Sequence, residues 1–197
     1  MLSSVPLVDK DILLRPFRFS DSLGLYYAVR ESLKELDPWM SWATEGYSEM
    51  TAREYVSIAR SRWEEHTFYA FAITRGEEVL GACTLSSIHS IYRFCNLGYW
   101  VRTSCRGQGI AGRAAQLVAR FAFENLGMIR VEIVIAVENQ ASIRVAEKIG
   151  AHYEGILLNR MMIGKSIHDA HMYSLLPSDF GLVAQLADQR HAFAQLH

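Results

Sequence analysis

The stretch RGQGIAGRA at 106–114 packs three glycines and two arginines into nine residues. Glycine lets backbone N–H groups approach an anion with no Cβ in the way, and arginine adds positive charge, so the segment reads as a phosphate cradle. Three patterns fit it. Gly107, Gly109 and Gly112 satisfy G-x-G-x-x-G, the fingerprint of dinucleotide sites, and Gly107 to Ala114 nearly satisfies the G-x-x-x-x-G-K-[ST] of nucleoside-triphosphate loops. Arg106 to Ala111 satisfies R-x-x-G-x-[GA]. Each pattern implies a different ligand.

The nucleoside-triphosphate reading puts Arg113 at the lysine position and Ala114 where a hydroxyl must hold Mg²⁺. A methyl group cannot ligate a metal. The dinucleotide reading needs an acidic residue at the end of the next strand, roughly 20 residues on, to hold the ribose. Glu132 falls too early in that strand and Glu138 too far along the chain. The third pattern, that of acetyl-coenzyme A enzymes, fits its surroundings as well. A strand ends at Val101 and the chain turns through RTSCRGQGIA into a long helix, whose N-terminus favours a pyrophosphate without any metal.

The flanking periodicities say what must position this loop. ILLRPF predicts a strand, and DSLGLYYAVRESLKEL predicts a helix capped by Ser20 or Asp21. Thr51 and Glu54 form a T-x-x-E box that predicts a helix to about His66. FYAFAITR and VLGACTLS flank Gly76 as a hairpin, and FCNLGYWV precedes the loop. A helix follows from Ile110 to a stop at Gly127, then the strand IRVEIVIAV. NQASIRVAEKIG is a helix with Asn139 as cap, and two strands turn at Gly164–Lys165. Crossover helices and hairpins together predict an α/β fold with a mixed sheet.

The chain of 197 residues is half hydrophobic with a formal net charge of −1, which predicts one soluble domain with no field for nucleic acid. Cys83, Cys95 and Cys105 show no C-x-x-C spacing, the start MLSSVPLVDKDILL lacks a basic leader, and no apolar run reaches membrane length. A cytoplasmic protein without membrane contact is expected.

The chain resembles the GNAT-fold acetyltransferases, in particular the RimJ/RimL type that acetylates protein N-termini. The resemblance covers about residues 10–176 and is carried by LGYWV at 97–101, RGQGIA at 106–111, ENQASIRVAEKIGA at 138–151, YEG at 153–155 and HDAHMYSLL at 168–176. PWMSWA at 38–43 is similar to the family's substrate-side loop. The resemblance implies a GNAT domain over 1–176, with a helical tail over 177–197. It also implies a mostly antiparallel central sheet with flanking helices, splayed at the cofactor site after a bulge in LGYWV.

For chemistry the resemblance implies acetyl-coenzyme A as cofactor, with no metal. The backbone N–H near Val101 would stabilise the oxyanion. Arg106, Gly107, Gln108, Gly109, Ile110, Ala111, Gly112 and Arg113 would hold the pyrophosphate, joined by Asn139 and Ser142. Many GNAT enzymes protonate the leaving thiolate with a tyrosine, but that position is Ala146 here, and Ser142 matches the serine proposed in the RimJ/RimL branch. The glutamate some members use as base corresponds to Met161, so His89 is taken as candidate base. Trp39, Trp42 and Asp169 are candidate acceptor contacts, and His168 with Asp169 reads as a structural pair. The expected acceptor is a protein N-terminal α-amine. A small-molecule amine (toxin or antibiotic) and a non-catalytic acyl-coenzyme A sensor remain alternatives. A homodimer is implied by resemblance alone.

Overall fold

Large and small residues alternate along the strand Tyr69–Arg75, YAFAITR, which is buried on both faces up to Thr74. Tyr69, Phe71 and Ile73 enter one core, while Ala70 and Ala72 face a second, thinner one. The strand therefore carries helices on both sides, with a bulky layer on one and close helix approach on the other. The structure is a computed structural model that describes residues 6–182.

In chain order the elements are β1 (Leu7–Asp9), β2 (Ile12–Pro16), α1 (Ser22–Glu31), α2 (Leu33–Leu36), α3 (Glu49–Glu64), β3 (Tyr69–Arg75), β4 (Glu78–His89) and β5 (Phe94–Val101). They continue with α4 (Ile110–Asn125), β6 (Arg130–Ala136), α5 (Gln140–Lys148), β7 (His152–Ile163) and β8 (Ser166–Leu175). One eight-stranded sheet runs β1-β2-β3-β4-β5-β6-β8-β7. Every neighbour pair is antiparallel except β5 with β6. Ile110, Ala114, Ala115, Val118, Phe121 and Ala122 of α4 and Ile143 and Ala146 of α5 fill the thicker core, and α1 to α3 cover the opposite face.

The parallel pair positions the site. Only Phe94–Asn96 of β5 pairs with Arg130–Glu132 of β6, after which β5 continues to Val101 and β6 to Ala136 without meeting. The sheet opens into a wedge whose closed end is at Asn96 and Glu132. The β4 register beside Leu97–Val101 is regular, and the irregularity lies instead between Ser86 and His89. The expected bulge in LGYWV is therefore absent; the opening comes from lost pairing with β6.

Most expected elements stand, with three local differences. The first predicted helix breaks at Ser32, whose buried hydroxyl donates to Ala28 O (2.7 Å) and accepts from Thr103 N–H (3.0 Å). Asp21 precedes α1 without capping it through its side chain, because its carboxylate is committed to a buried pair with Arg15 (2.7 and 2.8 Å). The next helix is capped by Ser48, which accepts from Thr51 N–H (3.1 Å), so the box starts three residues earlier than Thr51–Glu54. The stretch from Pro177 begins as a short 3₁₀ turn with Phe180 against Phe123 (5.3 Å) and Leu182 buried. The rest of the expected tail lies outside the described residues.

Gly81 faces Val101 across β4 and β5, and a Cβ there would stand 2.1 Å from Trp100 O and 2.8 Å from Val101 Cα. No side chain fits without parting the strands beside the wedge. Gly81→Ala is expected to destabilise the protein by about 1–3 kcal/mol, the usual cost of overpacking. Thermal denaturation checks this as a fall in Tm of several degrees.

Candidate active site

Strand alternation determines which backbone groups line the wedge. Arg102 N–H donates to Leu80 O of β4 (2.7 Å). Hydrogen-bonding sides alternate along a strand, so Leu97, Tyr99 and Val101 turn their N–H and C=O groups into the wedge. Val137 N–H donates to Asp169 O of β8 (3.1 Å), so Val134 and Ala136 face the wedge from the other side. Two strand edges with unmatched amides thus face each other across a space that a ligand with its own amides can bridge.

At the open end both following helices begin. The N–H groups of Gly107 through Gly112 have no protein acceptor among the described residues; the first α4 backbone bond runs from Arg113 N–H to Gly109 O (3.1 Å). Gly109 precedes α4 at φ 73°, a conformation glycine adopts freely, and residues 106–109 are exposed. Six successive free donors at a helix N-terminus fit a pyrophosphate.

The arginines are less free than their spacing suggests. Arg113 donates to Asp11 Oδ1 (2.8 Å) and Asp9 O (3.2 Å), which ties α4 to the β1–β2 hairpin. Arg106 is half-exposed, 3.7 Å from Glu35. Gln108 donates to Ser104 O (3.2 Å) and accepts from Arg75 (3.4 Å). Arg102 pairs with Glu31, and Glu31 also accepts from Ser104 N–H (2.7 Å), so α1 anchors the chain just before the loop. The Arg102 guanidinium, assisted by Ser104 N–H, holds the Glu31 carboxyl down to about 2 against its partial desolvation. Cys105 is buried in the thicker core.

At the start of α5, Asn139 Oδ1 accepts from Ser142 N–H (3.1 Å), the expected cap. Tyr99 reaches from β5 to donate its hydroxyl to Ser142 O (3.1 Å), and burial pushes that hydroxyl up, out of the range of a ready acid. Ser142 Oγ has no protein partner among the described residues.

On the opposite face, Trp42 is 44 % exposed and its ring lies 6.2 Å from Trp100 and 5.9 Å from Tyr47. Trp39 is half-buried in the same loop. Trp100, which the sequence reading did not single out, carries the aromatic wall onto β5. Asn96 was also missed. Its Oδ1 is buried at the closed end without a partner among the described residues, while its amide is 3.5 Å from Ser86 Oγ. The available signal was a lone amide in the apolar run FCNLGYWV.

Two candidates are not brought to the wedge. His89 stacks on Tyr92 (4.7 Å) and Phe94 (5.0 Å) and accepts from Tyr92 N–H (3.1 Å). It sits beside Phe94, roughly 23 Å along β5 from Val101 at about 3.3 Å per residue. Asp169 accepts from Asn159 N–H (2.8 Å), holding the irregular part of β7.

Residues 11–152 match the family described as Acetyltransferase (GNAT) domain. The chain belongs to this family. It is 28% identical over 179 residues to the Probable N-acetyltransferase YjcK of Bacillus subtilis, covering 88% of this chain and 98% of that protein. It is 24% identical over 150 residues to the ribosomal-protein-serine acetyltransferase of Escherichia coli, covering 76% and 84%. Among solved structures, the RimL ribosomal L7/L12 alpha-N-protein acetyltransferase in complex with coenzyme A superposes with a TM-score of 0.80 at 23% identity, covering 87% of this chain and 97% of that one. This member of the GNAT family is an acetyl-coenzyme A-dependent N-acetyltransferase, and the wedge and the glycine loop fit the cofactor's amide-bearing arm and pyrophosphate.

Two outcomes follow from this geometry. A β-branched residue is strained at positive φ, so Gly109→Val should weaken acetyl-coenzyme A binding at least tenfold, about 1.4 kcal/mol, by titration calorimetry. Unchanged affinity in the folded variant would move the pyrophosphate elsewhere. Because the Glu31 carboxyl is lowered from 4.5 to about 2, its anchoring contribution is fully present above pH 4.5 and is lost as pH falls toward 2. The Tm difference between wild type and Glu31→Gln should narrow over that window.

Proposed function

We propose that this enzyme acetylates the α-amino group of a protein N-terminus, of the ribosomal-protein type, by direct attack of the bound amine, in the cytoplasm. The observation that carries this reading is the unpaired wedge between β5 and β6, with free helix-start donors on the cofactor side and an aromatic wall on the other. Acetyl-coenzyme A supplies the thioester carbonyl that accepts the amine. Backbone N–H groups of Val101 and Tyr99 face the wedge as donors for the oxyanion. Gly107 to Gly112 hold the pyrophosphate, with Arg106 adding charge at the rim. Asn139 holds the start of α5, and the unpartnered Ser142 hydroxyl gives a proton to a leaving thiolate. A thiol titrates near 8.5, so modest help suffices.

The acidity of the amine and the aromatic wall favour a peptide N-terminus. Glu154 pairs with Arg130 (2.6 and 2.7 Å) and Glu132 with the same guanidinium (2.8 Å), which leaves the trio a single net negative charge. An α-amine, with a pKa of about 7.7–8.0, is partly neutral at cellular pH and needs less deprotonation than a lysine-like amine. Trp42 and Trp100 offer flat apolar contact to a peptide end.

Coenzyme A release tests the proposal on peptides with varied first residues, the same peptides with blocked N-termini, and a panel of small amines. Turnover confined to free α-amines is the expected result; turnover only on small amines, or tight cofactor binding with none, overturns it. In the same assay Ser142→Ala should lower kcat with nearly unchanged cofactor affinity. A full-speed variant would remove Ser142 as the acid.

A further inference from the structure

Removal of the amine's proton needs an acceptor on the Trp42 side of the wedge, and most titratable groups there are committed. Glu132 and Glu154 are bound to Arg130, and Ser174 Oγ donates to Glu154 as well (2.6 Å). Burial pushes Tyr47 up to about 12. Among the described histidines, His66 contacts Tyr69, His89 is stacked at the closed end, His152 contacts Asp179 and His171 contacts Tyr153. His168 differs from all of these.

Its position follows from register. Leu175 and Tyr173 of β8 enter the core under α4, so Ser174, Met172, Ala170 and His168 turn to the opposite, acceptor-side face. Ala136 pairs with Ala170, and the bond from Val137 N–H to Asp169 O carries the ladder one step further. Glu138 therefore lies beside His168, with Oε2 3.5 Å from Nδ1. Ala136, whose N–H faces the wedge, is two residues away. The His168 side chain is 23% exposed, and Met161 of β7 stands directly across from it. Of the other charged groups on the hairpin, Asp169 is turned to the far face on Asn159 N–H, while Arg160 and Lys165 are exposed and make no ionic contact among the described residues.

We propose that His168, oriented by Glu138, is the general base that takes the proton from the acceptor amine, an assignment that rests on the acetyl-transfer reading above. A carboxylate at Nδ1 favours the tautomer with its proton there and leaves Nε2 with a lone pair. The amine nitrogen bonds to the thioester carbonyl carbon and its proton passes to Nε2, directly or through one water. The carbon–sulfur bond breaks, and the departing thiolate takes its proton from Ser142 as a water re-protonates the serine oxygen, while His168 later returns its proton to solvent. Base and acid then lie on opposite faces of the sheet, each on the side where its proton moves. Glu138 is a positioning residue.

The test uses the full chain at saturating acetyl-coenzyme A and peptide, following kcat against pH. His168→Gln should lower kcat about a hundredfold, within the usual range for a general base, and flatten the acidic limb of the profile while cofactor affinity stays unchanged. His168→Ala should regain activity with added imidazole. Glu138→Gln should lower kcat with little change in KM, and Glu138→Asp should recover part of the loss. Wild-type turnover with His168→Gln at full rate and an unaltered pH profile overturns this assignment alone. Wild-type silence on every amine, with acetyl-coenzyme A still bound, overturns the acetyl-transfer reading and this assignment with it.

Discussion

Backbone hydrogen bonding constrains the whole arrangement, because two parallel strands part after three residue pairs and leave the amides beyond them unmatched. A backbone group removed from water without a partner costs about 1–3 kcal/mol, so a protein tolerates such edges only where water or a ligand satisfies them. The neighbouring pairings keep the wedge from closing. β4 is zipped to β5 along its whole open stretch, with Gly81 allowing the close approach at Val101, and β8 is paired along β6. Each wall is held from outside, and the space between is left for a chain with its own donors and acceptors.

The same parallel pair brings the two helix starts together. A parallel crossover sends each chain from the C-terminal end of its strand into a helix, so α4 and α5 begin at the open end of the wedge. The proposed anion site offers successive main-chain donors, while Arg102 and Arg113 work as braces. Arg102 ties the loop to α1, and Arg113 ties α4 to the first hairpin. A fixed array of N–H groups loses little entropy on binding, whereas a long cationic side chain must be ordered first.

The two faces of the sheet divide the chemistry. The thicker core lies under α4 and α5, the side proposed for the cofactor, where Tyr99 and Asn139 hold the first turn of α5. The thinner, alanine-lined side brings α1 to α3 close and sets Trp42 over Trp100. Polar groups on this face are mutually satisfied around Arg130, which leaves Asn96 Oδ1 as a buried acceptor without a protein donor among the described residues.

Local pattern alone determined much of this protein. The glycine loop, the Asn139 cap, the hairpin around Gly76 and the helix stop at Gly127 are short-range features, set by backbone sterics and by hydrogen bonds a few residues apart, and they stand in the structure. Side-chain partnerships across many residues were decided only by the tertiary structure. Arg113 meets Asp11 across 102 residues and Ser32 meets Thr103 across 71, and no periodicity records either contact. His89 looked close to the site because it is near LGYWV in the chain, but an antiparallel turn carried it to the closed end. Trp100 and His168 acquired their places from strand register, which a single sequence leaves open because pairing partners far along the chain select it.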